Sequence, residues 1–164
     1  MGGVKLFKYV LQIIAGILTL IVSTFIAWYE GSAIIENTLE WKHSTPFTSL
    51  FNREFINGHD ISQLDYFVYA AKFQPFFPTI MIVSVLYILS VTGHFLAKRN
   101  SKWGMGFCGL IGFILLSFSS LFYNSTNMGG SIFFWISSIS GLLFVAVTVL
   151  LYKLDNTKML REVN

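Results

Sequence analysis

The chain has 164 residues and a net charge of +3, with 54% hydrophobic, 17% aromatic and only 12% charged residues. That charged share is about half that of a soluble domain, so the composition excludes an ordinary soluble enzyme, and no nucleic-acid partner is expected. The length suits one unit, a single four-span membrane domain over residues 1–164, and the lone cysteine, Cys108, forbids an internal disulfide.

The first element follows Lys5 and Lys8: an uncharged run from Tyr9 to Tyr29, ending in Trp28-Tyr29 and Glu30. About 20 apolar residues suffice to cross a bilayer as a helix, which gives span one at about 6–29. It is too long for a signal-peptide core, and Phe25 stands where a small residue would precede the Ala27 cleavage position. Leu6 occupies the Ser/Thr position of a myristoylation signal. The segment therefore reads as a retained helix. Span two covers about 76–97 and opens with Pro75 and Pro78, which suit a first turn because its N–H groups are orphans anyway. Spans three and four cover about 103–123 and 132–152, and no span carries Asp, Glu, Lys or Arg at its centre.

Basic residues set the orientation. Eight fall on one side, before span one, between spans two and three and after span four, against Lys42, Arg53 and Lys72 on the other. The positive-inside rule puts both termini in the cytoplasm of a plasma membrane. The long loop at about 30–74 and the turn 124–130 then lie outside.

That loop concentrates the polar chemistry, with six acids beside His43 and His59. Thr45-Pro46 reads as a helix cap with a first-turn proline, followed by Phe47, Leu50, Phe51 and Glu54. Asn57-Gly58 marks a turn. Asp60 stands three residues before Gln63, a capping-box spacing, and Ile61, Leu64, Val68 and Ala71 follow on one helical face. Two short amphipathic helices are predicted over the outer end of the spans, the second with its acidic edge outward. Glu30, Glu40, Trp41, Asp60, Asp65, Tyr66 and Tyr69 form the candidate partner surface.

Within the spans, Gly104, Cys108 and Gly112 form a small-xxx-small series, as do Ser137 and Gly141, and Gly106 and Gly109 add a second narrow stripe. Such residues let helices approach closely; the expected contact is between spans three and four, and the same stripes would also serve a homo-oligomer. The fold class is thus all-α: an integral membrane four-helix bundle with short amphipathic helices in the first outer loop.

Catalytic and metal motifs are missing. There is no His-Glu-x-x-His, no cysteine pair, no calcium-loop spacing and no phosphate-cradling glycine loop. Cys108 has no basic neighbour to activate it. Ion transport would call for ionisable residues inside the spans, and only His94 comes near, with Ser90 four residues before it. Neither catalytic residues nor cofactor or metal ligands are assigned. Asn124-Ser125-Thr126 matches a glycosylation acceptor, in a turn too short for easy enzymatic access.

The runs Trp28-Tyr29-Glu30-Gly31-Ser32, Glu40-Trp41-Lys42 and Asp65-Tyr66-Phe67-Val68-Tyr69-Ala70-Ala71-Lys72-Phe73 resemble a family of small uncharacterised four-span membrane proteins of Bacillus-type bacteria, a domain of unknown function. The resemblance implies a bacterial plasma membrane and this topology over most of the chain, and no activity. The layout is also similar to that of claudin-like proteins by architecture alone, since the loop lacks their cysteines. A non-enzymatic membrane protein whose outer loop binds a protein or envelope partner, in immunity or stress response for example, is the first expectation. A membrane enzyme on lipid or cell-wall precursors, using Glu30, His43, His59 and Asp60, and a transporter or channel accessory subunit are the alternatives.

Overall fold

The computed structural model describes residues 2–50 and 60–163. Among the described residues six α-helices follow in order: α1 (Gly2–Gly31), α2 (Pro46–Leu50), α3 (Gln63–Phe73), α4 (Phe76–Arg99), α5 (Ser101–Leu121) and α6 (Met128–Val163), with 3-10 turns at Ser32–Ile35 and Thr38–Glu40. Among the described residues there is no strand. Four helices, α1, α4, α5 and α6, are long and apolar enough to cross a membrane. The 24 residues of α4 rise about 36 Å at 1.5 Å each, more than the roughly 30 Å of hydrocarbon to be crossed. Helix α6 runs beyond the expected span at both ends.

The apolar residues of these helices mostly point away from the protein. Phe25, Phe113, Leu142 and Leu150 each leave more than half their surface uncovered, the reverse of a soluble bundle. Hydrophobic burial therefore does not hold these helices to one another; close packing and a few polar contacts do. Several hydroxyls inside the spans are satisfied locally: Thr19, Ser84, Ser90, Thr92 and Thr148 each donate to the carbonyl four residues before them.

Helix α1 lies antiparallel along α4, α4 along α5 and α5 along α6, the last pair making the most extensive contact. Gly16 meets Ile88 and Tyr87 on α4. The Gly104–Cys108–Gly112 stripe serves two neighbours. A Cβ on Gly104 would sit 2.5 Å from Ala97 Cα, and one on Gly93 would sit 3.2 Å from Cys108 Sγ, so this end of the stripe faces α4. Gly112 instead meets Val145 and the Gly141 carbonyl on α6, while Gly141 meets Leu116. Four-residue steps on a 3.6-residue helix advance about 40° each, which turns Gly112 about 80° away from Gly104 and onto the next neighbour. Farther along the same interface Ser119 and Ser138 share a 2.6 Å hydrogen bond. Ser137 is 1% exposed, and its Oγ has no partner among the described residues. Gly109 meets Thr148 at ordinary contact distance, and Gly106 faces open space.

The described residues between α1 and α4 form a cap over one end of the spans. Helix α3 is its centre and touches α1, α4, α6 and α2. Two glycines admit it. A Cβ on Gly31, at the end of α1, would collide with the Tyr66 carbonyl oxygen, and one on Gly129, at the start of α6, with that of Ala71.

Candidate functional site

The cap has its own core: Ile34, Ile61, Tyr66 and Tyr69 are buried together, with Ile35 and Trp41 packed against them. The Trp41 indole N–H donates to the Ile34 carbonyl at 2.8 Å, and Asn37 Nδ2 donates to the Tyr69 hydroxyl at 3.2 Å. Trp28 on α1 meets the Tyr66 ring at 6.3 Å, which joins this core to a span.

Asp65 is the structural anchor. It is fully buried, and its carboxylate accepts from the Phe47 N–H at 2.9 Å, the Thr48 N–H at 2.8 Å and the Thr48 hydroxyl at 2.5 Å. Thr48 Oγ1 in turn accepts from the Ser62 N–H at 2.8 Å. A carboxylate on α3 thus satisfies the first free N–H groups of α2. The residue expected to do so, Thr45, donates its hydroxyl to the Trp41 carbonyl instead. Helix α2 is a single turn of five residues, too short to stand without outside support.

A second tether crosses the cap. Lys72 Nζ meets Glu40 Oε2 at 2.6 Å and Ser44 Oγ at 3.2 Å, while Ser44 donates to the same Glu40 oxygen at 2.8 Å. Lys72, then Ser44, hold the Glu40 carboxyl below its ordinary value. Lys72 also lies 4.8 Å from the Phe73 ring centre.

Helix α3 is turned from the expected face. Its N-cap is Ser62, whose Oγ accepts from the Leu64 N–H, and Asp60 lies in the preceding turn. Leu64 is 51% exposed, and Val68 and Ala71 are only half-buried; the buried face is Asp65, Tyr66, Tyr69 and Ala70. The two tyrosine rings fill more core volume than the aliphatic stripe would, and Asp65 must face α2. The acidic edge of α3 therefore points inward. Of the seven candidate surface residues, Asp65, Tyr66 and Tyr69 are core, while Glu40 and Trp41 are half-buried and engaged in internal bonds. Glu30 is half-buried as well, and its Oε2 is enclosed without a hydrogen-bond partner among the described residues. His59, Phe51 and Glu54 lie outside the described residues.

The outward side of the cap carries polar residues such as Glu36, Lys42, His43 and Gln63 together with uncovered aliphatic ones. Leu39 is 85% exposed and Leu50 76%. Leu64, Phe67 and Val68 line an open groove with His43 and Phe47, closed on its other side by Phe122 and Phe133 from the α5–α6 hairpin. Among the described residues no three His, Cys, Asp or Glu side chains gather as a metal would require.

Residues 10–97, the segment holding most of α1, the cap and most of α4, match the family described as "Domain of unknown function (DUF4306)". The chain belongs to this family. It is also 31% identical over 83 residues to the uncharacterised protein YjdJ of Bacillus subtilis (strain 168), an alignment covering 49% of this chain and 76% of that protein. No solved structure matches the chain. The DUF4306 match takes in the Asp65 anchor, the Glu40–Lys72 tether and both glycine contacts of α1, and leaves out the α5–α6 hairpin.

Proposed function

We propose that this DUF4306 protein is a multi-pass protein of a bacterial plasma membrane, with both termini in the cytoplasm, whose cap binds a protein or envelope partner on the outer face. The observation that carries the reading is the pairing of an internally braced cap with uncovered apolar side chains, some of which line an open groove. Asp65 and the Glu40–Lys72 pair are spent on holding the loop, while Leu39, Leu50 and Leu64 stay uncovered. A loop ordered in advance loses less entropy on binding, and a contiguous apolar groove such as that of Leu64, Phe67 and Val68 is the kind of surface that takes a partner. The bias of basic residues toward the other end of the spans supports the orientation.

The test is photocross-linking in intact cells from a reactive residue placed at Leu39, and separately at Leu64, in the full chain. The expected result is one discrete protein or wall-polymer adduct that falls at least about fivefold on Leu50→Ser or Phe67→Ser, a loss of about 1 kcal/mol of binding. Alanine at Glu30 or Asp60 should leave it unchanged. Adducts with lipid alone would overturn the reading, and loss on the alanine variants with the aliphatic residues intact would favour chemistry at the outer face.

A further inference from the structure

The opposite end of the spans holds a cleft that the cap reading does not use. It lies between the start of α1 and the end of α4 and encloses about 820 Å³. Lys8 comes from α1, and Lys98 and Arg99 come from the last turn of α4. Gln12 and His94 sit one turn deeper on the two helices, and Tyr9 fills the space between, its ring 6.0 Å from His94 and 5.4 Å from Phe95. Among the described residues no acid lines the cleft, and none of its three cations is in an ion pair.

Antiparallel packing of α1 on α4 accounts for this grouping. It brings two basic segments that are about 90 residues apart in the sequence to one membrane-facing mouth. Like charges gathered without a counter-ion repel one another, and here they stand where apolar helix gives way to polar surface. We propose that this cleft seats the phosphate headgroup of an anionic phospholipid. Lys8, Lys98 and Arg99 meet the phosphate, the Gln12 amide and the Tyr9 hydroxyl serve the glycerol and ester oxygens, and an acyl chain runs along the exposed faces of Leu6 and its neighbours on α1. Basic pockets between spans suit anionic headgroups for this reason, each cation near the surface being worth about a fivefold preference. The guanidinium adds a fork matched to two phosphate oxygens. A zwitterionic lipid carries its own ammonium, which the three cations repel, so the occupant is an anionic lipid rather than any phospholipid.

Native mass spectrometry of the full chain in mild detergent, titrated with phosphatidylglycerol or phosphatidylcholine, tests this. The expected result is one retained phosphatidylglycerol with at least about a tenfold preference over phosphatidylcholine. The combined change Lys8→Gln, Lys98→Gln and Arg99→Gln should reduce that preference to within twofold. Lys102→Gln with Lys153→Gln, which alters basic residues outside the cleft, should preserve it. All three cleft cations are exposed side chains, so the fold should survive their neutralisation. A photoactivatable phosphatidylglycerol gives an independent reading on the unaltered chain and should label residues 6–12 and 94–99 above all others. Equal retention of the two lipids, an undiminished preference in the triple variant, or labelling spread evenly over the spans would each overturn the proposal. Displacement of phosphatidylglycerol by millimolar inorganic phosphate would also overturn it, by making the cleft a site for free anions.

Discussion

Replacing Asp65 by alanine should open the cap while leaving the spans packed. The change strands the Phe47 and Thr48 N–H groups, which lose acceptors at 2.9 and 2.8 Å, and takes the 2.5 Å acceptor from the Thr48 hydroxyl. An enclosed donor left without a partner costs about 1–3 kcal/mol. Two backbone donors therefore set a range of about 2–6 kcal/mol, and removing the carboxylate's own desolvation cost pulls the net toward about 3 kcal/mol. That is about a hundredfold in the opening equilibrium. Amide hydrogen exchange of the full chain in nanodiscs reads it directly. Protection at Phe47 and Thr48 and along Gln63–Phe73 should fall about a hundredfold, with α5 and all of α6 beyond its first turn unchanged. Asp65→Asn should be nearly as damaging, because its NH2 group would face one of the two N–H donors. If alanine leaves protection at Phe47 and Thr48 within threefold of the parent, the carboxylate does not hold α2, and the account of an ordered cap fails with it.

The remaining predictions concern orientation, packing and pH. In a Cys108→Ser parent, cysteines at Ser49 and Thr126 should react with a membrane-impermeant thiol reagent in intact cells, while those at Ser101 and Thr157 stay shielded; the reverse pattern would invert the orientation taken from the basic residues. Gly112→Leu should lower thermal stability in detergent by about 1–3 kcal/mol, since even a Cβ there would lie 2.9 Å from Val145 Cγ2. Gly106→Leu, into open space, should be nearly neutral, and equal losses for the two would refute the packing described for α5. The Glu40 carboxyl is held below its ordinary value of 4.5, so the folded cap binds that proton less readily than the unfolded chain. Its contribution is complete above the ordinary carboxylate value and is lost as pH falls through the lower value of the folded state. Cap protection measured by hydrogen exchange should therefore decline with acid below about pH 4.5 in the parent and respond less in Glu40→Gln; identical acid responses would rule out a role for the pair.

The spans were legible because the bilayer imposes a length and a polarity that leave little choice: an uncharged run such as Tyr9–Tyr29 has one stable outcome. Both short helices of the cap were legible too, from Pro46 and from the spacing of Ile61 and its successors. Their faces were not. An aspartate in an amphipathic segment ordinarily reads as solvent edge, and nothing local to Asp65 reveals that its partners are the amides of Phe47 and Thr48. The available signal was indirect: a one-turn helix opening at Pro46 has donors to satisfy, and Thr45 has a competing acceptor in the Trp41 carbonyl. The split of the Gly104–Cys108–Gly112 stripe between two neighbours follows from helical drift, yet the identity of each neighbour is tertiary information. The cleft at Lys8, Lys98 and Arg99 was visible only as charge bias, because its two halves meet solely through the pairing of α1 with α4.

The two glycine contacts of α3 make it a crossbar. Each is an approach of one backbone to another, at Gly31 to Tyr66 and at Gly129 to Ala71, so neither has side-chain slack to absorb a displacement. An occupant that pushes α3 sideways or rolls it must carry the ends of α1 and α6 with it. Those two spans are not flush neighbours in the row, being linked through α4 and α5, and so a load on the cap becomes a change in the splay between the first and last spans. A membrane protein without ionisable groups at the centre of its spans can still convey a signal across the bilayer in this way, by leverage rather than by charge.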